Sequence, residues 1–182
     1  MKQNKYALLV IDMQLVAFDG EITPPIASGD QLIVTLSSLI SSCRAANIPV
    51  IYAQTCAASG QPYAQDVHGW EIHPEVAPLE TDPVFYKVGP SVFENSDFND
   101  FLTELETTTI IVCGIWSEGC VSITSRGALK RGYEVWLAAN GHGTVRQSES
   151  EARELVTDQN TLLAQRGAVV IDSTQISSRI GS

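Results

Sequence analysis

The sequence predicts an α/β protein with a six-stranded, mostly parallel, Rossmann-like sheet. Three observations carry that prediction. Short β-rich runs alternate with longer runs of helical period, the signature of repeated βαβ units. The β-rich runs are nearly all apolar, as suits strands covered on both faces rather than half-exposed ones. The helical runs also carry start and stop residues at their ends.

Strands are expected at 6–11, 48–53, 83–87, 109–114, 134–138 and 168–172. The first is Tyr6-Ala7-Leu8-Leu9-Val10-Ile11, and the fourth, Thr109-Ile110-Ile111-Val112-Cys113-Gly114, breaks at its glycine. Helices are expected at 30–46, 97–106, 119–132 and 148–166. In the first, Leu32, Leu36, Leu39 and Ile40 recur at helical spacing, with Asp30 as the N-cap. The second carries Phe98, Phe101, Leu102 and Leu105 at similar intervals, and Gly132 and Gly167 are stop signals after the third and fourth. Residues 54–82 hold no regular pattern. A connection that long is functional or disordered, and Trp70, Ile72 and Val76 favour a loop folded over a site. The polar Ser173–Ser182 reads as a short arm or tail. No repeat or boundary interrupts the chain, so its 182 residues are expected to form one domain.

Composition narrows the function classes. A net charge of −10 opposes a nucleic-acid or anionic-membrane partner, both of which need a basic face. The one adjacent basic pair, Lys130-Arg131, reads as a solvated helix end. No apolar run approaches the roughly 20 residues that span a bilayer. Met1–Lys5 lead into the first strand without a small-residue cleavage site, so a cytoplasmic protein is expected. The four cysteines, Cys43, Cys56, Cys113 and Cys120, lack the close pairing of a zinc site and are expected as free thiols. Cys43 and Cys113 read as buried apolar residues, and Cys56 follows a strand end where it is a candidate pocket residue.

Cys120 differs from the other three. It stands between the turn glycines Gly114 and Gly119 and an amphipathic run, at a helix start beyond a strand's carboxyl end. Helix N-termini favour negative charge, and open parallel sheets bind ligands at that edge. Two other strand ends bring Asp12 and Lys87. A nearby ammonium favours a thiolate, and a carboxylate is able to accept the thiol proton and later activate water. Taken singly, Asp12 is equally a turn or cap residue and Lys87 a solvated strand end. Their joint occurrence with Cys120 points to a nucleophilic cysteine enzyme.

The segments Val10-Ile11-Asp12-Met13-Gln14, Tyr86–Phe93 and Val112–Val121 resemble the three signature blocks of the isochorismatase-like cysteine hydrolases. His73–Pro78 and Ala128–Val135 match the connecting regions, so the resemblance runs from about residue 5 to about residue 172. It implies a three-layer α/β/α sandwich and a catalytic triad of Asp12, Lys87 and Cys120. It also implies a cis peptide at Ile115–Trp116 and an oxyanion site made by the backbone N–H groups of Trp116 and Cys120. Family members hydrolyse small amides, carbamoyl or ureido compounds through a covalent cysteine intermediate, and are commonly dimers or tetramers. The founding branch instead cleaves the enol ether of isochorismate and lacks the cysteine.

The expected reading is therefore a cysteine amidase acting on a small amide or ureide without a cofactor. Phe18, Trp70, Phe93, Ile115 and Trp116 are the expected pocket walls. Nicotinamidases of the family carry a metal-binding Asp-x-His after the second strand, where this chain has Gln54-Thr55-Cys56-Ala57-Ala58-Ser59. No metal is expected, with His68 at the surface and His73 in a His-Pro turn. His142 is either at the site mouth or in a turn. Two alternatives stand beside this reading: an enol-ether hydrolase, and a non-catalytic binding member of the family.

Overall fold

The computed structural model describes residues 5–181. The leader reading at the N-terminus rests mostly on residues 1–4, which lie outside them, as does Ser182. Six strands form one parallel sheet: β1 (Tyr6–Ile11), β2 (Val50–Thr55), β3 (Val84–Lys87), β4 (Thr109–Ile115), β5 (Glu134–Gly143) and β6 (Val169–Ile171). Their order is β3-β2-β1-β4-β5-β6. The helices are α1 (Gly29–Ala45), α2 (Ser96–Glu104), α3 (Ser122–Lys130), α4 (Glu149–Gln165) and α5 (Ser173–Ile180).

The apolar strands are apolar because both faces are covered. One face packs Leu8, Val10, Tyr52, Ile111 and Cys113 against Leu36, Leu39 and Ile40 of α1 and Ile176 of α5. The other packs Leu9, Ile11, Ile51 and Val112 against Phe98 and Leu102 of α2, Ala128 of α3 and Leu163 of α4. Leu36, Leu39, Phe98 and Leu102 are essentially inaccessible, and each contributes about 1.5–3 kcal/mol by burial. Among the described residues, no helix is long and apolar enough to cross a membrane.

The chain departs from the sequence expectation where polar residues do structural work. β2 runs to Thr55, two residues beyond the apolar stretch, because Gln14 captures its end: Thr55 N–H donates to Gln14 Oε1 (3.0 Å) and Gln14 Nε2 donates to Thr55 O (3.1 Å). The residue before α1 is Ser28, in a left-handed conformation, and Asp30 sits in the first turn. The expected helix at 119 begins with a π-type turn over Ser117–Val121, and α3 proper starts at Ser122. β5 continues to Gly143 by a bulge, its register with β4 passing from Val112↔Leu137 to Gly114↔His142. The expected C-terminal arm is helical instead. Asp172 caps α5 by accepting from Thr174 N–H (2.9 Å), and Ile176 buries against α1.

Candidate active site

Strand order creates the site. From β1 the sheet grows toward β2 and β3 on one side and β4 on the other, so β1 and β4 border the crevice where open α/β sheets bind ligands. At that edge Ile11 pairs with Gly114. Gly114 has φ 117°, and a Cβ there would lie 2.1 Å from the Ile11 carbonyl oxygen, so only glycine fits. Directly after Ile11, Asp12 takes φ 52° while its N–H donates to Ala53 O (2.9 Å). Asp is among the few non-glycine residues tolerated there, and the turn points its carboxylate along the sheet edge rather than into a face.

Four adjacent strands then deliver four groups in spatial order. Lys87 ends β3, Thr55 ends β2, Asp12 follows β1, and Cys120 lies in the turn after β4. Neighbouring strands stand about 4.8 Å apart, so a group on β3 must reach across β2 to meet Asp12. The four-carbon stem of Lys87 does so: its Nζ lies 2.7 Å from Asp12 Oδ2, 2.8 Å from Thr55 Oγ1 and 3.3 Å from Cys120 Sγ. The Thr55 hydroxyl accepts from Lys87 and donates to Asp12 Oδ1 (2.9 Å). Asp12 and Lys87 are both nearly inaccessible, so each depends on the other for its charge. The structure thus brings together the three residues singled out in the sequence and adds Thr55. No motif marks Thr55; its position at the end of a central strand is the one available signal.

Cys120 is half-buried, and its environment differs from the sequence expectation. Burial first, and then the charge of Asp12, push its thiol up to about 11 against the pull of Lys87. Burial and the neighbouring carboxylate thus favour the neutral thiol over a standing thiolate. The ammonium that would have ionised it is already paired with the carboxylate. The carboxylate that would take the thiol proton and the sulfur that would give it touch the same ammonium.

The turn carrying Cys120 is held from behind. The Ile115–Trp116 peptide is cis. Gly119 and Val121 N–H groups both donate to Trp116 O (2.9 and 3.1 Å). The Ser117 hydroxyl lies 2.8 Å from both His142 Nδ1 and Gly143 O, and His142 Nε2 lies 3.0 Å from Asn160 Oδ1. Asn160 Nδ2 is committed to Ala139 O, so its oxygen faces the imidazole and fixes the Nε2–H tautomer. Burial holds His142 below its usual value, and therefore neutral. Its two candidate places resolve to a third: it is a buried brace on β5 behind the turn.

The long connection 56–82 closes the front. Trp70 O accepts from Gln14 and Gln54 (both 2.9 Å), and Trp70 Nε1 donates to Thr55 O (3.2 Å). Burial first, and then the charges of Asp12 and Cys120, push the Tyr63 phenol up. The sequence reading passed over Tyr63 because nothing local distinguishes it from other loop residues. Of the expected pocket walls, Phe18 lines a cavity of about 670 Å³ beside His73, and Trp70 and Trp116 border the site. Two others are corrected. Phe93 is turned inward by the Ser91-capped turn, packs on Phe98 and carries Arg131 over its ring at 4.4 Å. Ile115 is fully buried in the core on the α1 side.

The described residues do not fit a metal centre. Among the described residues, no three His, Cys, Asp or Glu side chains are grouped to hold an ion. His68 faces Asp19 and Glu21 at 3.6 and 3.4 Å with most of its ring exposed. His73 caps the Pro74–Val76 turn by accepting from Glu75 N–H (3.3 Å).

Residues 6–175 match the Isochorismatase domain. The chain is 36% identical over 138 residues to a streptothricin hydrolase of Streptomyces noursei, covering 76% of this chain and 54% of that protein. It spans about half the length of the two streptothricin hydrolases it matches. Its fold is that of a cysteine hydrolase from Pseudomonas syringae pv. phaseolicola, with TM-score 0.88 and 22% identity over 97% of this chain and 92% of that one. The pyrazinamidase of Pyrococcus horikoshii, solved in complex with zinc, superposes with TM-score 0.80 and 21% identity over 92% of this chain and 99% of that one. The chain belongs to the isochorismatase family.

Proposed function

We propose that this protein is a hydrolase that cleaves a C–N bond of a small amide or ureide through a covalent Cys120 intermediate, with residues 1–182 working as one domain. The observation that carries the reading is the contact set around one ammonium. Lys87 Nζ touches the Asp12 carboxylate at 2.7 Å and the Cys120 sulfur at 3.3 Å, at the β1/β4 crevice. As Sγ attacks the substrate carbonyl carbon, the thiol proton passes to Asp12 and the carbonyl electron pair moves onto oxygen. The N–H groups of Trp116 and Cys120 receive that oxyanion. Collapse expels the leaving nitrogen, which takes the proton from Asp12. Water, deprotonated by the same carboxylate, then releases the acyl group and restores the thiol. Lys87 keeps its proton throughout and offsets the negative charge passing between sulfur and carboxylate.

The enol-ether alternative lacks support, because the cation at these strand ends is engaged by Asp12, Thr55 and Cys120 rather than offered to an acidic substrate. The names of the relatives set the first assays, streptothricin and pyrazinamide, followed by a panel of small amides and ureides. Turnover with an acyl adduct on Cys120, seen by intact mass and absent in Cys120→Ala, is the expected result. Turnover by Cys120→Ala would falsify the mechanism and leave a binding or scaffold role for the thiol. Activity is expected to survive exhaustive chelation, and loss restored by zinc would overturn the metal-free reading. The family's usual assembly, a homodimer or tetramer, is expected by size-exclusion chromatography with light scattering.

A further inference from the structure

Lys130-Arg131, the one adjacent basic pair, is more than a solvated helix end. Lys130 closes α3 and Arg131 is its C-cap, while Arg166 is the C-cap of α4. Both helices pack on the same face of the sheet. With Arg126, one turn back in α3, these cations line a cavity of about 470 Å³. Ligand cavities run from about 300 to 1,000 Å³, so the space suits a small molecule. No residue of the triad lines it.

The charge there runs against the rest of the molecule. The chain carries 11 Lys and Arg against 21 Asp and Glu, yet four of the cations stand around this cavity and, among the described residues, no carboxylate lines it. Lys5, Arg44 and Lys87 each meet a carboxylate. Among the described residues, none of these four does. Attraction to helix C-terminal carbonyls accounts for Lys130, Arg131 and Arg166 taken one at a time. It accounts neither for Arg126 nor for a mutual repulsion left unrelieved in a chain rich in carboxylates.

The cations are also positioned, with donors to spare. Arg126 Nε donates to Ser122 O (3.3 Å) and Arg131 Nη1 to Gly127 O (3.1 Å), and Arg131 lies over the Phe93 ring at 4.4 Å. Each of these two guanidiniums keeps its other N–H groups free of protein acceptors. Glycine is disfavoured inside a helix, but Gly127 keeps the floor of the cavity open. A Cβ there would lie 3.2 Å from the Phe93 ring, 3.6 Å from Ser91 Oγ and 3.7 Å from Arg131 Nη1. Ile123 and Leu129 add apolar walls.

We infer that this cavity is a binding site, separate from the catalytic crevice, for a small organic phosphate. Guanidinium forks match phosphate oxygens two at a time, and four cations call for an anion of more than one charge. Ile123 and Leu129 would take the organic part. The inference goes beyond the proposed hydrolysis and stands whether or not Cys120 is the nucleophile.

The test is isothermal titration calorimetry of the full chain with inorganic pyrophosphate and with ADP, free of divalent cations and at low ionic strength, where screening is weak. One molecule of each should bind per chain, and ADP at least as tightly as pyrophosphate, because its nucleoside adds contact with the apolar walls. Arg126→Gln combined with Arg166→Gln should weaken both by about tenfold or more. Arg146→Gln combined with Arg153→Gln, an equal loss of charge near the start of α4, should change them by less than about twofold. Without ligand, the Arg126→Gln, Arg166→Gln protein should melt no lower than wild type, since it loses repulsion. No binding of either probe overturns the inference, and so does equal weakening in both double variants, which would mean diffuse attraction. A lower melting temperature with unchanged affinity returns the cations to their helix ends and overturns it too. Pyrophosphate binding more tightly than ADP removes the organic ligand, and oligoglutamate displacing ADP at equal concentration replaces it with an acidic protein partner; either result overturns the assignment.

Discussion

Asp12→Asn should make Cys120 easier to alkylate while stopping turnover. Lys87 Nζ lies 3.3 Å from Sγ. At an effective dielectric of about 20 that contact is worth roughly 5 kcal/mol to a thiolate, more than enough to ionise it near neutrality. The thiol nevertheless sits up at about 11 because burial disfavours the thiolate and, after that, the charge of Asp12, which lies 2.7 Å from the same ammonium, offsets the pull of Lys87. Asparagine keeps the shape and hydrogen-bonding capacity of the site but removes the opposing charge. A fall of about 2 pH units in the labelling midpoint is a conservative share of the unmasked attraction. At pH 8 that is about a hundredfold more thiolate, and the lower nucleophilicity of a more acidic thiol returns about tenfold of it. The net expectation is iodoacetamide labelling about tenfold faster than wild type at pH 8, with hydrolysis abolished for want of a proton acceptor. Lys87→Met should move labelling the other way, since Asp12 then faces the thiol alone. A wild-type midpoint below pH 8, or slower labelling of Asp12→Asn, would refute the neutral resting thiol and restore a standing thiolate–lysine pair.

Three further outcomes are expected. Thr55→Val removes the hydroxyl that accepts from Lys87 and donates to Asp12, so kcat/KM should fall by about 10- to 100-fold, or about 1.4–2.7 kcal/mol; an unchanged value would reduce Thr55 to a packing residue. Gly114→Ala places a Cβ 2.1 Å from Ile11 O at φ 117°, and urea denaturation should show a loss of roughly 3 kcal/mol or more, if the variant folds at all. His142, held neutral by burial, has a folded-state pKa depressed below 6.5. Its contribution to stability is therefore complete above about pH 6.5 and lost as pH falls through the folded value. His142→Gln should flatten the loss of stability between pH 7.5 and 5, and an unaltered acid profile would assign that loss to other groups.

The α/β class was legible in the sequence because the determining forces are local and repetitive. Two-faced burial makes strands such as Leu8–Ile11 and Ile110–Cys113 continuously apolar, and one-faced burial gives α1 its leucine spacing. Asp12, Lys87 and Cys120 were legible as candidates because each stands where an apolar strand ends, and in a parallel sheet all strand ends share one edge. Their charge state was not. Whether Cys120 rests as thiol or thiolate depends first on how deeply the fold buries it and then on Lys87 being shared with Asp12, neither of which has a linear trace. Phe93 and Ile115 read as pocket walls by their nearness in sequence to Lys87 and Trp116, and only the turn at Ser91 and the crossing of β4 beneath α1 decide that both face the core. Thr55 was invisible for the opposite reason. It is a common residue in an unremarkable stretch and gains its role from Asp12, a partner brought to it by the fold. Periodicity records what an element does with its own neighbours, whereas a site is made of contacts between residues tens of positions apart, which only the packed chain determines.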